Sequence, residues 1–245
     1  MPTPAHLLAQ ITANLGQNFT LGSLSAAAAN DRYEAFVWLL VIEAAIAEQA
    51  QVTLVHVDGT PATAPLLRTS PGVIASQAQN YTHAVIAFPG KPLLEAHLGI
   101  HVAGKSTVTH ECDVVVLEQE EATECRATGA NPRYSSGLIF VECKYYSSNL
   151  PLRLAREFLG LCREMRAADC FFVANSTSDS VLKILAHMNC HRTAHVVPTS
   201  TDATKLLNLF REKFDHFKSL NYGTISNRFD PRPAMTGHSD SCVLS

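Results

Sequence analysis

At 245 residues, with 47% hydrophobic and 17% charged side chains, the chain carries enough apolar material for one sizeable core and too little charge for a disordered polyelectrolyte. The net charge of −3 excludes a long-range field that draws in nucleic acid or membranes nonspecifically, so any phosphate contact must come from a local group of Lys and Arg. Seven cysteines, with no Cys-x-x-Cys pair and several inside apolar runs, fit buried reduced thiols in the cytoplasm better than a disulfide framework. No basic stretch followed by an apolar one opens the chain, and no run of about 18 apolar residues occurs, so neither a secretory leader nor a membrane span is expected.

Residues 1–30 hold a short apolar segment and then a small-residue stretch, and Asn30 or Asp31 can cap a helix. Arg32–Gln49, free of Gly and Pro and apolar around most of its circumference, predicts a well-buried helix. Short β-like runs follow at Val52–Val57 and Ala84–Phe88, closed by Asp58-Gly59 and Pro89-Gly90, with a small, polar loop over 60–80. Leu93–Val102 and Ser106–Leu117 predict a hairpin around Ala103-Gly104-Lys105, and Gly137–Tyr145 a further strand. Residues 118–136, acidic and polar with Gly and Pro, read as a surface connection. Leu150–Arg166 predicts a helix with Pro151 in its first turn. Cys170–Ala174 reads as a strand, Ser178–His187 as a helix, His195–Pro198 as a brief strand and Thr201–Leu220 as an amphipathic helix. The order predicts an α/β fold with a mixed sheet flanked by helices, one domain over 1–222, and a flexible polar tail over 223–245.

Two apolar strands carry acidic residues in their interiors. One is Thr109-His110-Glu111-Cys112-Asp113 followed by three valines; the other is Leu138-Ile139-Phe140-Val141-Glu142-Cys143-Lys144. A carboxylate buried without a partner is costly, so something must stabilise Asp113 and Glu142, and a divalent cation is the natural choice. Glu142 and Lys144, two residues apart, share one face of their strand, and Asp113 on a neighbouring antiparallel strand can reach the same place. Two carboxylates and a backbone carbonyl, that of Cys143, supply hard oxygen ligands suited to Mg2+ or Mn2+. Lys144 adds a fixed positive charge. The alternative is a buried Glu–Lys ion pair beside a surface-facing Asp.

An acidic residue inside one apolar strand and Glu-x-Lys inside the next resembles the PD-(D/E)xK, or restriction-endonuclease-like, nuclease superfamily. Cys112 stands where the motif's Pro would be. The resemblance spans roughly residues 30–200. It implies a restriction-endonuclease-like mixed sheet and metal-dependent hydrolysis of phosphodiester bonds in nucleic acid, DNA in the first place. Asp113 and Glu142 are then the metal ligands, with Cys143 assisting, and Lys144 is catalytic. The family's preceding helix often supplies a further Glu, which matches Glu34. Glu43 is nine residues on, half-way round the helix, so the two cannot both face the site. The meander, turn and helix resemble the Mrr-like branch associated with prokaryotic restriction and antiviral defence.

Arg153, Arg156 and Arg163 share one face of the helix after Lys144, and Arg156 is the phosphate-binding choice, against a solvated face paired with Glu157 and Glu164. Gly99 to Ser106 formally fits GxxxxGK(S/T), but its β-like context makes a hairpin turn in which Lys105 touches the nucleic-acid backbone. Glu111 can flank the metal or pair with Lys105, while His110 and Cys112 face the opposite way. His187, Cys190, His191 and His195 form a Cys/His-rich patch with no common zinc spacing. Asn175-Ser-Thr-Ser reads as a helix N-cap region or a groove lining. A homodimer and an activating partner protein are compatible with this reading. The rival reading is a catalytically inactive nucleic-acid-binding or assembly module on a nuclease-like fold.

Overall fold

The structure is a computed structural model and describes residues 29–220 except 63, 64, 69, 77, 79 and 189. Of the segment expected over 1–30, residues 1–28 lie outside the described residues, as does the tail expected over 223–245. Seven strands form one sheet in sequence order. They are β1 (Gln51–His56), β2 (Thr82–Ala87), β3 (Leu94–Ala103), β4 (Thr109–Glu118), β5 (Gly137–Lys144), β6 (Cys170–Ala174) and β7 (His191–Thr193). The first five pair antiparallel; β5 to β6 and β6 to β7 are parallel. The α/β class and mixed sheet expected from the sequence are therefore present. Among the described residues no helix is long and apolar enough to cross a membrane.

Both faces of the sheet are covered, which is why its central strands read as near-continuous apolar runs. Alternation sends Val114, Val116, Ile139 and Val141 into one core, and Val115, Leu117, Phe140 and Phe172 into the other. The first core is closed by α1 (Ala29–Ala47) and the C-terminal helix α5 (Thr201–Ser219), through Phe36, Leu39, Phe210 and Phe214. Each fully buried side chain of this size contributes about 1.5–3 kcal/mol. Two long-range bonds fix α1: Trp38 Nε1 donates to the Ala96 carbonyl and the Tyr33 hydroxyl to the Val196 carbonyl, each at 3.0 Å. The second core is closed by α2 (Gln119–Thr128), α3 (Leu152–Glu164) and α4 (Asp179–His187). The six cysteines among the described residues are buried and none is in a disulfide.

Two local expectations are corrected. The connection expected over 118–136 contains α2, whose Ala122 and Cys125 are buried, one turn apart, beneath an otherwise polar helix. The strand expected at His195–Pro198 lies earlier, at His191–Thr193, because His195 takes a left-handed backbone (φ 57°) that breaks an extended run. Pro151 sits at the N-cap of α3, one position before the first turn, in extended conformation.

Candidate active site

The ladder between β4 and β5 stops at Val114 opposite Val141, and the next residues outward are Asp113 and Glu142. There the Asp113 carboxylate takes over from the backbone: its Oδ2 accepts the Cys143 N–H at 2.6 Å. On its other edge β5 stays paired with β6 as far as Lys144 opposite Ala174. The site is thus a fork, with β4 peeling away from a β5 that is held in place. A strand residue's N–H and C=O point to the same edge, so the Cys143 carbonyl also faces the opened side. β3 bends at the same level. Gly99, in register with Asp113 between the pairs Leu98–Val114 and Ile100–Cys112, has a left-handed backbone with φ 54°.

The open end of β5 is fastened by residues that follow β6. Asn175 clamps Tyr146 through both of its amide atoms (2.7 and 3.0 Å), Ser176 Oγ donates to the Ser148 carbonyl and Ser178 Oγ to the Leu150 carbonyl, both at 2.9 Å. This stretch was expected as a helix cap or groove lining. Ser178 does take the N-cap position of α4, but its side chain ties down the chain after Lys144 and makes no cap bond.

Asp113 is buried and Glu142 half-buried, and Lys144 Nζ lies 2.5 Å from Glu142 Oε1. Glu142 and Lys144 continue the strand parity of Phe140, while on β4 the alternation turns over at Asp113, with Val114 in the first core and both Cys112 and Val115 in the second. The first turns of α1 stand over the end of β5, where the Tyr33 and Tyr145 rings meet at 5.5 Å. This brings Glu34 into the group. Burial and then the Asp113 charge push its carboxyl well up, with Asp31 and Glu111 adding and Lys144 opposing. Asp113 is itself pushed up by burial and Glu142, against Lys144 and the Cys143 N–H. Glu111 is raised by burial and Glu142. Burial pulls Lys144 down, but Glu142 and Asp113 outweigh it, so its ammonium is held more firmly than usual. Glu43 feels burial alone and stands apart.

Four carboxylates thus face one ammonium, and the proton affinity of three of them records the unbalanced negative charge. An all-oxygen donor set short of positive charge fits a hard divalent cation. Asp113, Glu142 and the Cys143 carbonyl are the groups that would hold it.

The phosphate-binding expectations are not drawn into this group. Arg156 is exposed on α3, and its neighbour Arg153 pairs with Glu157 at 3.5 Å. Lys105 occupies an exposed turn between β3 and β4, its Nζ 5.8 Å from the Tyr134 ring centroid. That turn has no helix after it, so Gly99–Ser106 is a hairpin and not a phosphate loop. The Cys/His-rich patch disperses: His191 stacks on Phe171, Cys190 is buried beside Cys162, and His187 and His195 are exposed.

A second titratable group escaped the sequence reading. His83 on β2 and Glu95 and His97 on β3 are all buried, with ligand atoms all within 4.8 Å of one another. A signal for it existed: Glu95 and His97 share parity inside an apolar strand, the same pattern that singled out Glu142 and Lys144.

No protein-family model, no curated protein and no solved structure matches the chain.

Proposed function

We propose that the chain is a Mg2+- or Mn2+-dependent phosphodiesterase of the PD-(D/E)xK type that cleaves nucleic acid, DNA in the first place, in prokaryotic restriction or defence. The observation that carries this reading is the β4–β5 fork, where Asp113, Glu142 and Lys144 converge at an opened strand edge with Glu34 beside them. A bound divalent ion lowers the pKa of its water and offsets charge developing on the phosphate. The chain's own groups divide the remaining work. Asp113 and Glu142 present the anionic oxygens. Lys144, held as ammonium by two carboxylates, stabilises phosphate charge and does not act as the base. Glu34 lies beside these groups and, once its carboxyl is ionised, would orient water and take up its proton. Arg156 and Lys105 are exposed cations available to the flanking backbone of a long substrate.

The test is incubation of supercoiled, linear and single-stranded DNA, and of RNA, with and without Mg2+ or Mn2+. Cleavage that depends on the ion and falls at least about 100-fold in Asp113→Ala and in Lys144→Ala, with unchanged circular dichroism, supports the proposal. Metal-dependent cleavage that survives in both variants refutes it.

A second reading, a nucleic-acid-binding or assembly module without activity, draws on the Glu142–Lys144 pair, which neutralises Glu142 without any ion. It predicts binding of the same substrates that neither ion nor substitution converts into cleavage.

A further inference from the structure

Beneath α2, three cations or potential cations converge on one buried carboxylate. Arg126 grips Glu95 through both oxygens at 2.6 and 2.8 Å, His97 Nε2 lies 2.9 Å from Glu95 Oε2, and His83 Nε2 lies 3.6 Å from the same oxygen. Arg126 Nη1 and His97 Nε2 take up the two lone pairs of Oε2, which leaves His83 Nε2 outside hydrogen-bonding distance. The two imidazoles stack across β2 and β3 with centroids 4.8 Å apart. His83 is 3% and His97 0% exposed, and the Nδ1 atom of each has no hydrogen-bond partner.

We propose that His83, Glu95 and His97 form a site for a first-row transition ion, with Zn2+ as the reference, in which the ion and Arg126 compete for Glu95. Two imidazoles and one carboxylate are a donor set for such ions, unlike the all-oxygen fork. A tetrahedral ion with bonds of about 2.0–2.2 Å separates its donors by about 3.3–3.6 Å; His83 Nε2 already stands 3.6 Å from Oε2, while His97 Nε2, at 2.9 Å, has to draw back by a few tenths of an ångström and the stacked rings have to tilt toward one another. Arg126 supplies the balancing charge when no ion is bound. Its side chain is 20% exposed on the outer helix, so it can withdraw to solvent when an ion enters. Tyr81, with Arg68 stacked on its ring at 4.3 Å, walls the site and offers no ligand, its hydroxyl being bonded to the Ile74 carbonyl. The ion would join β2 to β3 beneath α2.

The test uses the full chain, stripped with chelator and titrated with Co2+ in excess Mg2+, which keeps the hard-ion fork occupied. The expected result is one tight equivalent with the ligand-field bands of a low-coordinate nitrogen/oxygen site. Binding persists in Asp113→Asn, so failure of the nuclease proposal leaves it untouched. It weakens about 100-fold or more in His97→Gln. In Arg126→Met, which removes the competitor and keeps all three ligands, affinity rises about tenfold or more. That variant decides the matter if His97→Gln does not fold. Absence of a tight equivalent, a thiolate charge-transfer band placing the ion on cysteines, or unchanged or weaker binding in Arg126→Met overturns the proposal.

Discussion

Asp113 stands where a backbone ladder ends, and its carboxylate does two things at once: it accepts the Cys143 amide and it repels its neighbours. Because burial and like charge raise the carboxyls of both Asp113 and Glu34, the folded chain holds protons that the unfolded chain has already released. Stability without metal therefore falls as pH rises from about 4, the ordinary carboxylate range, through the raised values. Thermal denaturation in EDTA between about pH 5 and pH 8 should show a declining midpoint, and Mg2+ should flatten the decline. Asp113→Asn keeps an acceptor for the Cys143 amide and deletes the charge. It should stabilise the metal-free chain by about 1 kcal/mol or more at the alkaline end while abolishing cleavage. A destabilised, active Asp113→Asn would contradict both assignments.

At the scale of elements, the site depends on strands that bend and on a clamp that does not. Gly99 adopts φ 54° in register with Asp113, and a Cβ there meets the Pro71 backbone at ordinary contact distance, so the penalty for a side chain is conformational. Gly99→Ala should cost about 1–2 kcal/mol and lower cleavage per folded molecule by displacing β3 against β4. Gly90→Ala, with a left-handed φ of 69° in an open turn, should cost a similar amount and leave cleavage unchanged. Chemical denaturation alongside single-turnover cleavage separates the two. Asn175→Ala removes both bonds to Tyr146 and should cost about 1–3 kcal/mol, with a fall in kcat larger than any change in KM, since the clamp fixes Lys144 and binds no substrate. The apolar strands and the long helices were legible in the sequence because β4, β5 and α1 are long apolar runs free of Pro, and α5 is clearly amphipathic. The helix α2 was not: its buried stripe is only Glu121, Ala122 and Cys125 amid Glu, Thr and Arg. Asn175 was ambiguous because a cap and a cross-strand clamp use the same short polar side chains.

At the scale of the whole molecule, the fork was legible because its members sit on two strands with strong patterns. The His83–Glu95–His97 group was not, because His83 lies on a separate strand and the pairing that stacks it on His97 is a tertiary fact. That group opposes the pH trend set by Asp113 and Glu34. Burial lowers His97 to about 4 despite the Glu95 bond, so between roughly pH 6.5 and 4 the unfolded chain takes up a proton that the folded chain refuses. Its own contribution falls as pH drops through this window and offsets about one of the two protons that Asp113 and Glu34 hold in the folded chain. Glu95 adds nothing there, because burial is outweighed by Arg126, His83 and His97 and its carboxyl stays ionised well below the window. Urea midpoints at neutral pH and near pH 4.5 check this: in His97→Gln the gain in stability toward acid should steepen by about one proton's worth of slope.

The Tyr33 hydroxyl finds its acceptor at Val196, 163 residues later in the chain, and the Val196 amide is in turn held by the Ala174 carbonyl. During synthesis, Asp113, Glu142 and Lys144 leave the ribosome well before the segment that seats α1, and with it Glu34. If the chain is the proposed nuclease, a nascent chain stalled short of Val196 should bear Asp113, Glu142 and Lys144 and cut nothing.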